Sequence, residues 1–168
     1  MSIEINGIAH IHITANDPEV SIPFWQSLCH FLGLKTLIHN EDTIYCIGGR
    51  TGILVRAAPV EKRGQTFDQD TVGLHHFCFR TRSAEDVDRV HEFIKEDPGA
   101  KVIHAPEAGD QFAPGYYSLL FEDPDGIRVE FNYIPGKGHF GGRGRLTSGG
   151  EGAATQYDED GLLGRSEG

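Results

Sequence analysis

Three short stretches of this chain set imidazoles or a carboxylate on the polar side of an alternating strand. Residues 8–14 read I-A-H-I-H-I-T. Successive side chains of a strand point to opposite faces, so Ile11 and Ile13 share one face, and His10, His12 and Thr14 the other. Residues 74–80, L-H-H-F-C-F-R, set Phe77 and Phe79 against His76, Cys78 and Arg80. Residues 127–133 set Ile127, Val129 and Phe131 against Arg128, Glu130 and Asn132. If the sheet curls, the three polar faces line one concavity. Two imidazoles and a carboxylate suit a catalytic divalent metal, because three protein ligands leave positions open for water, substrate or oxygen. Fe(II), Mn(II), Zn(II) and Ni(II) all accept such donors, and the donor types do not choose among them.

Taken singly, a histidine in such a strand is more often a solvated polar residue than a ligand, and alternation alone leaves His12 and His75 as competitors of His10 and His76. For His75 the face pattern points to a partly buried structural role. His12 shares the face of His10, and an imidazole exchanges protons near neutral pH, so His12 is a candidate acid or base. A polar lining role without proton transfer competes with that. By the same alternation Arg56 and Arg80 face the concavity. Either could hold a substrate carboxylate or phosphate, or pair with a neighbouring acid.

The elements that must position these residues recur. After the first strand, Asp17-Pro18 reads as an N-cap followed by proline at the first helical position. Val20, Phe24, Trp25, Leu28, Phe31 and Leu32 follow at helical spacing, and Gly33 is a plausible stop. Pro23 falls inside that helix and predicts a kink or a delayed start. Strands are expected at 34–39, 43–47 and 52–57. Residues 59–72 are polar and aperiodic and read as a linker. The pattern then repeats: a strand at 74–80, a helix opened by the capping-box-like Ser83-Ala-Glu-Asp86, and strands at 101–104, 116–121 and 127–133. Asp123-Pro124-Asp125-Gly126 marks the last turn. His76 follows His10 by 66 positions, so the order of elements indicates a doubled βαβββ unit, an α+β fold.

The chain has 168 residues, the length of one ordinary domain, with 38% hydrophobic and 24% charged residues. A net charge of −10 makes nucleic acid and anionic membranes poor partners. Cys29, Cys46 and Cys78 are odd in number and show no CxxC spacing, so neither a disulfide framework nor a zinc knuckle is expected, and a reduced, cytoplasmic home is the simple reading. The first residues show no basic segment leading into an apolar run, and no stretch approaches the roughly 20 apolar residues of a membrane span. From Pro135 onward the sequence is rich in glycine and is expected to form a solvated, flexible tail over 136–168. Its acidic run, Asp158-Glu159-Asp160, argues against an RNA-binding role.

Three stretches together carry a family resemblance: HIHITANDPEVSIPFWQSLCHFLGLK, GLHHFCFRTRSAEDVDRVHEFI and YYSLLFEDPDGIRVEF. The chain resembles the vicinal oxygen chelate superfamily, the glyoxalase/bleomycin resistance/dioxygenase proteins, over about residues 6–134. The resemblance implies two βαβββ modules (6–58 and 73–134, joined by the linker 59–72) forming a curved mixed sheet around a metal-binding cup within a domain spanning 1–135. It implies His10, His76 and Glu130 as ligands of one divalent ion, a small oxygen-rich substrate bound through vicinal oxygens, and a homodimer.

Departures from the family pattern bear on activity. Aligning Gly52-Ile-Leu-Val-Arg56 with Gly126-Ile-Arg-Val-Glu130 sets Arg56 at the carboxylate position of the first module, where glyoxalase I has a glutamate. A lactoylglutathione lyase or methylmalonyl-CoA epimerase reaction of that type is therefore not expected. The ligand set favours ring-cleaving dioxygenase-like chemistry over a lyase or isomerase. The tyrosine that dioxygenases and fosfomycin-modifying members carry three residues before the Asp-Pro turn is Leu120 here, although Ser118 matches the latter, and 111–114 holds no histidine. Tyr116, Tyr117, His104, Glu107, Asp110 and Gln111 lie near the expected rim. His12 and Tyr116 are the candidates for proton transfer, and Arg56, Arg80 and Asn132 those for substrate binding. A metal-free, antibiotic-sequestering protein is the alternative from another class; members of that kind lack the ligand set.

Overall fold

The structure is a computed structural model that describes residue 5 and residues 7–135; the Gly-rich stretch 136–168 lies outside the described residues. The elements run β1 (Ile11–Ala15), α1 (Pro18–Phe31), β2 (Lys35–His39), β3 (Thr43–Gly48), β4 (Thr51–Ala57), a 3-10 turn (Val60–Lys62), β5 (Phe77–Arg80), α2 (Ala84–Ile94), β6 (Lys101–Ala108), β7 (Tyr117–Glu122) and β8 (Arg128–Tyr133). Strand, helix and three strands thus occur twice, the expected α+β doubling. One four-stranded sheet has the order β1-β4-β3-β2 and the other β5-β8-β7-β6. Both are mixed, because β1 pairs β4 and β5 pairs β8 in parallel.

The chain divides into two compact units. The first comprises the described residues of Met1–His75 with Asp97–Lys101 and Glu122–Ile127, and the second those of His76–Glu96, Val102–Phe121 and Arg128–Gly168.

In the first unit, Asp17 caps α1 by accepting the Glu19 N–H at 2.9 Å, and Pro18 takes the first turn, where its missing N–H costs nothing. Pro23 does not delay the helix, which runs unbroken from Pro18 to Phe31. Pro23 and Glu19 both lie on the exposed side, so water can satisfy the carbonyl that loses its partner. Gly33, at φ +79°, ends the helix, with Leu34 N–H donating to the Cys29 carbonyl at 2.9 Å. The buried stripe Ile22, Trp25, Leu28 and Cys29 packs on β3 and β4, whose buried residues include Ile44, Cys46, Ile53 and Val55. Each large side chain removed from water there contributes about 1.5–3 kcal/mol.

The turn Asp123-Pro124-Asp125-Gly126 also belongs to this unit. Asp123 Oδ1 accepts the N–H groups of Asp125 (2.9 Å) and Ile127 (2.8 Å), and Oδ2 accepts the indole N–H of Trp25 at 3.0 Å. Asp125 accepts the Ser21 hydroxyl at 2.8 Å and the Asn16 backbone N–H at 3.0 Å. Gly126, at φ +84°, supplies the left-handed position that closes the turn. Burial raises the Asp123 carboxyl to about 6, against the pull of its three N–H donors and with some help from the Asp125 charge.

In the second unit, Ser83 caps α2 by accepting the Asp86 N–H at 3.1 Å. Val87, Val90 and Ile94 are its buried stripe, and α2 packs on β8. Phe131 stands between Phe79 (centroids 5.1 Å apart) and Phe121 (6.1 Å), an aromatic core on the helix side of the sheet.

Two details differ from expectation and bear on the site. Both leading strands start later than alternation suggests, at Ile11 and Phe77, because pairing with their parallel partners begins at Ile11↔Ile53 and Phe77↔Val129. His10 and His76 therefore stand one residue ahead of their strands. The second detail is register. Cys78 pairs with Glu130, whereas His12, at the same place in β1, pairs with Leu54. The structural counterpart of Glu130 is thus Leu54, and Arg56 corresponds to Asn132. Aligning the strands by Gly52 and Gly126 slips them by two because Gly52 lies within β4 whereas Gly126 precedes β8 by two residues. The first unit still lacks a carboxylate at that position.

Candidate functional site

The alternation read from the sequence places the polar side chains as expected. In β1, Ile13 and Ala15 are buried while His12 and Thr14 are exposed. In β8, Val129 and Phe131 are buried while Arg128, Glu130 and Asn132 are partly accessible. Directly paired residues share a face. The accessible face of the second sheet therefore holds Cys78 beside Glu130 and Arg80 beside Asn132.

Glu130 is the centre of this face. His76 Nε2 lies 3.1 Å from Glu130 Oε2. The Tyr116 hydroxyl donates to Oε1, and Asn132 Nδ2–H donates to the Tyr116 oxygen at 3.0 Å. The side chain of Glu130 is only 14% exposed and that of His76 37%, so the pair is sheltered on the carboxylate side and open on the imidazole side. Burial raises the Tyr116 phenol, and the Glu130 carboxylate adds to this against the Asn132 donor, so Tyr116 keeps its proton. Desolvation and, second, the Glu130 charge also push the Cys78 thiol up. Cys78 is exposed as a residue, so the carboxylate opposite is the part of that shift the geometry carries.

Tyr116 stands just ahead of β7, at the end of a tightly tied loop. Gly109 N–H donates to the Tyr116 carbonyl (2.8 Å), Tyr116 N–H to the Ala113 carbonyl (2.9 Å), and Gly115 N–H to Asp110 Oδ1 (2.8 Å). The Phe112 ring lies 5.4 Å from that of Tyr116. A Cβ at Gly109 would come within 2.9 Å of Tyr116 Cδ1, so the ring sits where only glycine leaves room.

His10 is exposed in the first unit, its ring edge-on to Tyr45 at 6.5 Å. His12 is exposed on β1, beside Leu54. Arg56 is exposed on β4 and lines an open hollow of about 690 Å³ with Asn40, Glu41, Asp42 and Thr43. A second cleft of the first unit, about 440 Å³, is lined among others by Asn16, Lys62, Gln65 and Asp125 and contains none of the candidates. His75, expected to be partly buried, is exposed, because β5 begins two residues after it. His104 lies exposed on β6, 3.7 Å from Glu107. Tyr117 donates to Asp88 at 2.8 Å, so it does not join the Glu130 network. Among the described residues no three of the His, Cys, Asp and Glu side chains are grouped as a metal site; His76 and Glu130 form a pair at 3.1 Å. As donors they fit a divalent ion: one imidazole nitrogen and one carboxylate oxygen, side by side on a half-sheltered face.

Comparison with known proteins assigns the family. The sequence pattern of the glyoxalase/bleomycin resistance protein/dioxygenase superfamily matches residues 7–131. The chain belongs to that superfamily. It is 27% identical over 121 residues to protein YqjT of Bacillus subtilis (strain 168), covering 72% of this chain and 94% of that one. A glyoxalase-type protein from Bacillus halodurans superposes with TM-score 0.64 at 25% identity, over 76% of this chain and 96% of that chain. A lactoylglutathione lyase from Agrobacterium tumefaciens shares the fold at TM-score 0.55 and 21% identity, over 77% of this chain and 94% of its own.

Sequence reading named Tyr116 and Asn132 separately and missed that they are wired to Glu130. The signal was present: Glu130 and Asn132 share a face two residues apart, and Tyr116 stands just ahead of β7, the strand that neighbours β8. It also passed over Cys78 as the direct cross-strand neighbour of Glu130.

Proposed function

We propose that this chain is a divalent-metal-dependent enzyme of the superfamily, acting on a small molecule that offers two vicinal oxygens. The observation that supports this best is the His76 Nε2–Glu130 Oε2 pair at 3.1 Å on the accessible face of β5 and β8. His76 and Glu130 would hold the ion, and the resemblance names His10 as a further ligand. A bound divalent ion supplies Lewis acidity toward substrate oxygens and, if iron, a site for dioxygen. The chain's own groups do the rest. Arg80, beside Asn132 at the end of β5, offers a guanidinium to an anionic substrate group. The Tyr116 hydroxyl donates to Glu130 and its oxygen accepts the Asn132 N–H, so it is not a base as it stands. Dioxygenase-like chemistry is the preferred form; a lyase or isomerase is the other. A homodimer is part of the same proposal and is read by sedimentation.

The test is metal content and affinity after anaerobic purification, on the wild type and on His76→Ala, Glu130→Ala and His10→Ala. A tightly bound ion lost in the first two variants supports the reading, and the third shows whether His10 completes the set. Iron directs the search to oxygen uptake on vicinal diols; zinc, nickel or manganese directs it to lyase and isomerase assays. No binding, or binding unchanged in the His76 and Glu130 variants, overturns the proposal and leaves a small-molecule binding protein as the better account.

A further inference from the structure

We infer that Tyr116 is a positioning residue that restricts Glu130 to a single free oxygen. The inference rests on the metal reading above and concerns how this chain presents its carboxylate. The hydrogen bonds have only one consistent direction. An ionised carboxylate can only accept, so the Tyr116 hydroxyl must give its proton to Glu130 Oε1. The phenol oxygen is then left as an acceptor, and Asn132 must turn its NH₂ group toward it, at 3.0 Å. The chain therefore runs from Asn132 N–H to Tyr116 O–H to Glu130 Oε1. Oε2, the oxygen facing His76 at 3.1 Å, is the one left for a ligand that His76 shares.

The phenol is also held in place from behind. Two backbone hydrogen bonds, from the Gly109 N–H to the Tyr116 carbonyl and from the Tyr116 N–H to the Ala113 carbonyl, tie both ends of this residue. Ala113 is buried, and Phe112 packs on the ring at 5.4 Å. Glycine at 109 is what lets the ring lie there, since a Cβ would stand 2.9 Å from it. A tyrosine that served packing alone would not need its hydroxyl aimed at a carboxylate by a second side chain. Partners that fix the orientation of a metal's carboxylate ligand commonly matter 10–100-fold in affinity. Glu130 would then hold the ion through Oε2 alone, and a substrate with two oxygens of its own would meet less competition from the protein. Without the phenol, Oε1 is released and the carboxylate can turn to offer both oxygens.

The experiment is Co(II) loading followed by visible absorption, whose intensity falls as coordination number rises, on wild type, Tyr116→Phe and Asn132→Ala. Tyr116→Phe keeps the ring against Gly109 and Phe112 and removes only the hydroxyl. It is expected to bind Co(II) about 10–100-fold more weakly than wild type, with a weaker visible band. Asn132→Ala is expected to move the spectrum the same way by less, and it leaves the loop untouched if the Phe variant fails to fold. Denaturant unfolding of both variants separates this from a structural role, which would lower stability and leave the spectrum alone. A wild type that binds Co(II) with a spectrum identical to that of both variants overturns this inference while leaving the metal reading standing. A wild type that binds no Co(II) overturns the metal reading and this inference together.

Discussion

The molecule carries two clusters of polar side chains built from similar residues, and they differ in burial and in the kind of donor that satisfies them. In the first unit Asp123 and Asp125 are buried and bound by backbone N–H groups, the buried Trp25 indole and the buried Ser21 hydroxyl. In the second, Glu130 is bound by side chains only, and one of them, His76, is half open to solvent. The first arrangement locks a turn and offers no oxygen to a ligand. The second holds a carboxylate still while leaving an imidazole accessible. Acidity alone does not distinguish structure from chemistry in this fold; what the acid is bound by, and whether its partner can be reached, does.

The comparison can be broken most forcefully at Trp25, which is fully buried and donates to Asp123. Trp25→Ala is expected to cost about 3–5 kcal/mol in urea unfolding, through lost burial and an unpaired carboxylate. A loss under about 1 kcal/mol would show that the turn is not locked in this way.

Asp123 gives a smaller effect with a definite sign. Its carboxyl is raised from 3.8 to about 6 in the folded chain. Between those values the native state holds a proton that the unfolded state has released, so this group's contribution is fully present below 3.8 and is lost as pH rises through about 6. The expected fall is on the order of 2 kcal/mol. The stability–pH curve of Asp123→Asn, measured across the same window, should be flatter than that of the wild type. Equal slopes would remove Asp123 as the cause.

Glu130 should behave in the opposite sense. A functional carboxylate held by side chains costs stability, so Glu130→Leu is expected to leave unfolding free energy unchanged or to raise it by up to about 1 kcal/mol. A loss of about 2 kcal/mol or more would make Glu130 a structural residue like Asp123. The smallest effect is expected at Arg56, exposed on β4 with its hollow open to solvent. Arg56→Ala should shift stability by less than about 0.5 kcal/mol in the same urea experiment.

The sequence by itself determined the elements and the faces. Alternation in residues 74–80 and 127–133, the caps Asp17 and Ser83, and the Asp-Pro-Asp-Gly turn are local signals, each set by backbone geometry within a few residues. They sufficed for the doubled βαβββ order and for placing Glu130 on an accessible strand face, with His76 just ahead of its strand. Pro23 does not delay the helix start, because a missing hydrogen bond costs little on the side of the helix that meets water. What only the tertiary structure decided is pairing. Register made Leu54, not Arg56, the counterpart of Glu130, since hydrogen bonds between strands do not follow glycine spacing along them. The same pairing brought Tyr116 and Asn132 onto Glu130 and drew Trp25 to Asp123, 98 residues away. Contacts at such separations carry no local signature; they exist because burying the apolar faces leaves those polar groups few other partners.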